Sequence, residues 1–191
     1  LRVAVLAQPD WHDAEAFRAM GRPRLGVFIG AGNLDSMVAH YTAAKRRRSE
    51  DFYSPGKRSG CRPDRAAIVY CNRAREAFGP DMPIILGSLE ASLRRFAHYD
   101  YWDDSVRRAI LFDAPADLLV YGMGEAATIE IAHRLKKKQS VRTMTDIPGT
   151  GYITRDPSVC KFDHITLPSY EDVRDDKRLY AEPTRPRLNS Y

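Results

Sequence analysis

Residues 83–101 read PIILGSLEASLRRFAHYDY, and their order decides the fold. Three aliphatic side chains, Ile84, Ile85 and Leu86, follow one another with no polar residue between them. A strand covered on one face alternates apolar and polar residues, so an unbroken run marks a strand covered on both. Gly87 and Ser88 end the run, and residues 89–95 then take up a short helical pattern. A buried strand that closes on a glycine and releases the chain into a polar turn is how an open α/β sheet presents a ligand at the carboxyl ends of its strands.

The same grammar repeats on either side. Upstream, residues 25–31 form an apolar run closed by Gly30-Ala31-Gly32, and residues 2–7 read as an earlier strand. Downstream, residues 118–121 form a fourth run, and Gly122-Met123-Gly124-Glu125 leads from it into a helix that ends at Lys136-Lys137-Lys138. Helical patterns lie between. Asp13 is placed to cap a short helix with Ala16, Phe17 and Met20 on one side. Asn33 or Asp35 caps a helix expected to reach about Arg46, with the basic run as its last turn. Asp64 caps a helix on which Ala67, Tyr70, Cys71, Ala74 and Phe78 fall in one stripe. Residues 103–112 read as a further helix, and residues 49–63 as a loop long enough to be mobile or functional.

Strand and helix thus alternate four times, which specifies an α/β fold with a doubly wound, mostly parallel sheet of Rossmann-like or flavodoxin-like kind. The pattern fails after Asp146. The expected organisation is an α/β domain over residues 1–145, then a linker or the partial start of a following domain over residues 146–191. A short strand at 151–155 and the compact Leu167-Pro168-Ser169-Tyr170 are the features of that tail. The chain has no initiator methionine and opens inside a strand-like segment, so a fragment of a longer protein is expected, with a first strand missing upstream.

Thirty Lys and Arg face twenty-five Asp and Glu, a net charge of +5. The cations come in runs: residues 45–48, 57–58, 94–95, 107–108 and 136–138. Such runs suit a phosphate-rich partner such as RNA, or, more plainly, complement helix dipoles and pair with acids. Three widely spaced cysteines, Cys61, Cys71 and Cys160, argue for a reducing, cytoplasmic setting rather than a disulfide framework. No apolar run is long enough to span a membrane.

The candidate cofactor-binding residues are those of the two strand-end turns, Gly87 and Ser88 at the first and Gly122, Gly124 and Glu125 at the second. Glycine lets backbone N–H groups approach a ligand, and a helix N-terminus favours an anion. Glu125 would accept hydrogen bonds from ligand hydroxyls; its structural alternative is a first-turn acid on the helix dipole. The usual G-x-G-x-x-G is absent. His98-Tyr99-Asp100-Tyr101-Trp102-Asp103-Asp104 is the densest run of functional groups, either a general-base or metal site or a packed aromatic loop with Asp103 or Asp104 capping the next helix. No serine has the setting of a hydrolase nucleophile, and no catalytic residue or metal ligand is assigned.

RPDRAAIVYCNRAREAFG, MPIILGSLEASLRRFAHYDYWDDSVRRAILFDAPADLLVYGMGE and LPSYEDVRDDKRLYA closely resemble the N-terminal part of the YgiQ-type radical SAM proteins. AQPDW and AGNLDSMVAHYTAAKRRR fit the same family, so the likeness covers nearly the whole chain. The resemblance implies a cobalamin-binding-like Rossmann domain that accompanies the radical SAM core of the same polypeptide. It implies that the parent carries a [4Fe–4S] cluster and cleaves S-adenosylmethionine reductively. The family's cluster motif, CxxxCxxC, is absent here, as is the cobalamin-ligand motif DxHxxG, and the family's paired glycine is Gly87-Ser88. The expected role is therefore an accessory domain with no catalysis of its own, binding a cobalamin-like or nucleotide cofactor at the strand ends. The alternative is a binding module whose basic runs contact RNA. A third reading, a free-standing nucleotide-binding enzyme, would rest on His98 and its aspartates.

Overall fold

The computed structural model describes residues 1–181. Its frame is a four-stranded sheet. Strands β1 (Val27–Gly30), β2 (Ile84–Gly87) and β5 (Leu118–Val120) lie side by side and parallel, and β6 (Thr150–Gly151) adds to β5 in the antiparallel sense. The register aligns Gly30 with Gly87, so both chains leave the sheet at the same level.

The unbroken run in β2 has the expected cause. Ile84 and Leu86 point to one face, where they meet Ile29, Leu119 and the stripe of α2 (Ala66–Phe78). Ile85 points to the other face and packs with Leu118, Val120 and the apolar side of α4 (Glu125–Lys136). Each of these strand side chains is buried, an outcome worth about 1.5–3 kcal/mol apiece. The sheet is therefore covered on both faces, a doubly wound α/β arrangement. Ala67, Tyr70, Cys71, Ala74 and Phe78 are all buried, as the helical spacing requires.

Several expectations fail, each for a local reason. Residues 2–7 form no strand; Val3 and Val5 are 84% and 77% exposed. Strand propensity without a partner ladder does not hold a strand. The helix after Asp35 is only Ser36–His40 (α1), because Tyr41 turns extended and pairs across a bridge with Arg47. The basic run is thus no helix terminus, and its cations complement no dipole. Asp35 does cap α1, accepting from the N–H groups of Met37 and Val38. Asp64 does not cap α2; its carboxylate accepts from His40 and Tyr41 instead.

The helix expected at residues 103–112 is a β-hairpin, β3 (His98–Asp100) with β4 (Ser105–Arg107), followed by a single 3-10 turn at Ile110–Phe112. Asp100 Oδ1 accepts the N–H groups of Trp102 and Asp103, and Asp104 sits at φ 49°, so the chain reverses before a helix can begin. Asp13 caps its short turn as expected, but Met20 is exposed rather than packed. Beyond Asp146 the chain still contributes β6, and Ser169 and Asp172 form a capping box that opens α5 (Tyr170–Asp175). The last residues of the tail, 182–191, lie outside the described residues.

Candidate functional site at the strand ends

Because β1, β2 and β5 are parallel and adjacent, Gly30-Ala31-Gly32, Gly87-Ser88 and Gly122-Met123-Gly124 emerge on one edge. The edge is stitched together by serines. Ser88 sits at φ 72°, and its Oγ accepts the Ala31 N–H at 3.1 Å. Ser92, one turn further along α3 (Ser88–Leu93), donates to the Ser88 carbonyl at 2.8 Å and accepts from the Gly122 N–H at 3.4 Å. Close packing fixes some of the glycines. A Cβ on Gly124 would meet Val120 Cγ1 at 2.6 Å, and one on Gly30 would meet Ser88 Cβ at 3.0 Å.

Glu90 is the residue that sequence reasoning missed. Its side chain is fully buried, and its carboxylate accepts the Ser36 N–H at 2.9 Å and the Ala67 N–H at 3.0 Å. Ser36 Oγ accepts the Ala66 N–H at 3.0 Å. One carboxylate on α3 thus holds the N-termini of both α1 and α2, where orphan N–H groups and the helix dipole favour negative charge. Asp35 beside it is paired with Arg94. The only sequence signal was an acidic residue within a run of small apolar ones.

The N-terminus of α4 differs. Gly124 stands at its N-cap with no side-chain hydrogen bond, and Glu125 occupies the first turn, exposed. The strand ends therefore bring together all five candidate residues, Gly87, Ser88, Gly122, Gly124 and Glu125, on one edge. A cleft of about 300 Å³ lies at the opposite end of the sheet, where Asp117, Arg142, Met144, Tyr152 and Ile153 line it.

The aromatic and acidic run forms a neutralised cluster. Arg65 reaches Asp100 at 2.9 Å and Asp103 at 2.7 Å, and Arg107 reaches Asp103 at 3.1 Å and Asp113 at 2.8 Å. Burial alone would raise the Asp100 carboxyl, but hydrogen bonds from Arg65 and the Trp102 N–H outweigh it and hold it below the usual range. His98 Nδ1 is 3.1 Å from the Phe96 carbonyl, and burial lowers the affinity of its ring for a proton. Its neighbours serve the fold: Asp100 and Asp103 are engaged by arginines, and Asp104 accepts from the Tyr99 hydroxyl at 2.6 Å.

A second buried pair lies in the long loop. Asp51 and Arg62, 1% and 4% exposed, make two hydrogen bonds of 2.9 Å to each other, and Arg62 Nη1 also reaches the Ala31 carbonyl. Burial pushes the Asp51 carboxyl up, and donation from Arg62, Ser54 and the Tyr53 N–H pulls it further down. Residues 49–63 are therefore anchored to the end of β1.

Cys61 and Cys160 are half-buried, and Cys71 is fully buried with its thiol pushed up to about 12 by desolvation. No three His, Cys, Asp or Glu side chains among the described residues converge as a metal site, so these residues do not fit an iron–sulfur cluster. No described helix is long and apolar enough to cross a membrane.

The radical SAM N-terminal family matches residues 1–189. A UPF0313 protein of Clostridium botulinum is 54% identical over 180 residues, which is 94% of this chain and 28% of the relative. A UPF0313 protein of Clostridium perfringens is 51% identical over 181 residues, 95% of this chain and 27% of the relative. The chain thus spans little more than a quarter of the length of the curated relatives it matches. No solved structure matches it. The α/β framework, the glycine turns and the tail features all fall within that match, and the chain belongs to the radical SAM N-terminal family.

Proposed function

We propose that this chain is the accessory domain of a larger radical SAM protein, and that its strand-end edge faces the radical SAM core of the same polypeptide. The carrying observation is the family match over residues 1–189, in a chain that spans about 28% of its relatives. Exposed apolar side chains on and beside that edge support the docking. Leu89, Leu93, Phe96 and Met123 are 41%, 59%, 51% and 88% exposed. Clustered apolar exposure of this kind is what a partner domain covers.

The parent's chemistry would come from a [4Fe–4S] cluster that delivers an electron to S-adenosylmethionine. Among the described residues no three His, Cys, Asp or Glu side chains converge to hold such a cluster, so in this reading it belongs to the rest of the parent. The domain's own task in this reading is to wall the radical site and exclude water from it. A finer reading adds a cobalamin-like or nucleotide cofactor against Gly87, Ser88, Gly122, Gly124 and Glu125. It is supported by the uncapped N-terminus of α4, which offers N–H groups to a phosphate while Glu125 takes hydroxyls. Free thiols at Cys61, Cys71 and Cys160 suit a reducing, cytoplasmic setting.

Reconstituting the full-length protein with iron and sulfide tests the parent assignment; the absence of cluster absorbance would overturn it. Hydrogen exchange compares the isolated chain with the full-length protein, and added protection is expected over residues 88–96 and 122–126. Equal exchange there would remove the docking. Titration with hydroxocobalamin addresses the finer reading, which fails if neither spectrum nor heat changes at high micromolar concentration.

A further inference from the structure

Many of the described arginines are spent on the fold. Arg62, Arg65, Arg75, Arg94, Arg107, Arg108 and Arg134 all pair with carboxylates. Residues 41–58 break that habit. They hold Lys45, Arg46, Arg47, Arg48, Lys57 and Arg58, all exposed, and none of the six pairs with a carboxylate among the described residues. Glu50 and Asp51 are the acids of the segment, and Asp51 is already neutralised by Arg62. Six cations against two acids leave a surplus of four, against +5 for the whole chain.

The cations are held together rather than strewn along a mobile loop. Two antiparallel bridges, Tyr41 with Arg47 and Glu50 with Arg58, fold the segment back on itself. The Arg48 N–H donates to the His40 carbonyl at 2.7 Å, and the Asp51 N–H to the Lys57 carbonyl at 2.9 Å. The buried Asp51–Arg62 pair ties the whole to the end of β1.

Aromatic rings are interleaved with these cations. Phe52 is 72% exposed with the Lys57 ammonium 4.9 Å from its centroid. Tyr101, at the tip of the β3–β4 hairpin, is 55% exposed with the Lys45 ammonium 5.0 Å away, and its hydroxyl donates to the Ala43 carbonyl. Nothing in the fold requires Phe52 to lie in water beside an unpaired lysine.

We propose that residues 41–58 and Tyr101 form a binding surface for single-stranded RNA. Unneutralised cations meet the phosphates, and exposed ring faces stack on unpaired bases, the pairing of features by which proteins hold single strands without reading sequence. A duplex hides its base faces, so it can use only the cations. A membrane surface would ask for an amphipathic helix, and this segment is bridged hairpin. The surface goes beyond the accessory-domain reading and does not depend on it.

Fluorescence anisotropy with a labelled mixed-sequence RNA 12-mer tests this, using the intact chain over a series of salt concentrations. Binding is expected to weaken with salt, and removing Arg46, Arg47, Lys57 and Arg58 together as alanines should reduce the logarithmic slope by about 0.7 per cation. Phe52→Ala should weaken binding about 10-fold and leave the slope unchanged, because stacking releases no counterions. Its ring is exposed, so the variant keeps its melting temperature and isolates recognition from folding even where the quadruple variant does not fold. The proposal falls if the RNA does not bind at low salt, if Phe52→Ala binds as tightly as the parent, or if duplex RNA or phosphatidylserine vesicles bind equally well.

Discussion

Glu90 offers the sharpest test of how this fold is held. Its carboxylate is completely buried and accepts two backbone N–H groups, Ser36 at 2.9 Å and Ala67 at 3.0 Å, from the first turns of two helices. A hydrogen bond to a charged group contributes about 1.5–3 kcal/mol, and a buried donor left without a partner costs about 1–3 kcal/mol. Glu90→Gln retains one acceptor oxygen and aims an amide N–H₂ at the other donor. One bond is lost and one N–H is orphaned, so about 2–3 kcal/mol of destabilisation is expected. Glu90→Ala orphans both donors and leaves a void, and about 3–5 kcal/mol is expected. Against a total stability of about 5–15 kcal/mol, the alanine variant approaches unfolding. Urea titration followed by far-ultraviolet circular dichroism at pH 7 reads both, with the midpoint lowered and the slope unchanged. Ser36→Ala, which frees the Ala66 N–H, should cost about 1 kcal/mol and couple to Glu90 in a double-mutant cycle. A Glu90→Gln midpoint within about 0.5 kcal/mol of the parent would refute the reasoning, because surface changes fall in that range.

Three further outcomes follow from buried titratable groups. The Asp51 carboxyl lies below its ordinary value in the fold, so its contribution is complete above about pH 3.9 and is lost as pH falls through the folded value. Asp51→Asn should flatten the acid limb of a stability–pH curve, whereas Arg62→Met, which strands the carboxylate, should cost about 3–5 kcal/mol at neutral pH. His98 is lowered by burial, so the unfolded chain binds its proton first and stability should fall as pH drops below about 6.5. His98→Gln should remove that slope from melting temperatures measured between pH 5 and 7.5; an unchanged slope counts against the assignment. Cys71 is fully buried with its thiol near 12, so Ellman's reagent should label Cys61 and Cys160 quickly and reach Cys71 only after denaturant is added.

The parts legible in the sequence are those governed by burial on both faces of an element. Ile84, Ile85 and Leu86 placed β2, the five-residue stripe placed α2, and glycines marked the ends of β1, β2 and β5. The parts that were not legible are settled by side chains acting across sequence distance. Asp64 is a sound N-cap in one dimension, yet His40 and Tyr41 claim its carboxylate from 24 and 23 residues away. Residues 103–112 have helix-compatible spacing, yet Asp100 captures the N–H groups that a helix would need. Residues 2–7 have strand composition but no neighbouring strand to pair with. At the candidate site the glycine turns were visible and Glu90 was not. Its role exists only once α1, α2 and α3 are brought together, 54 and 23 residues apart in the chain.

The strand-end glycines can be divided by what the fold demands of each, and the remainder is where the cofactor proposed above would show itself. Gly124 is required by packing, since a Cβ would lie 2.6 Å from Val120 Cγ1. Gly122 sits at φ 67°, which favours glycine whatever lies nearby. Gly87 is neither: its backbone is extended at φ −150°, and an added Cβ would meet the Val120 carbonyl at 3.6 Å, an ordinary contact. Alanine there fits the native backbone and restricts the unfolded chain, so Gly87→Ala should be neutral or stabilising by about 0.4–1 kcal/mol. The fold alone gives no reason for a glycine at the mouth of β2. Close approach of a ligand to that backbone gives one. Gly87→Ala should therefore leave the unfolding midpoint at or above the parent's while weakening cofactor binding by at least about tenfold, the cost of a methyl group set against a ligand in close contact. Unchanged binding in a fully folded Gly87→Ala protein would take β2 out of the cofactor edge and leave its Gly87-Ser88 turn to the docking face alone.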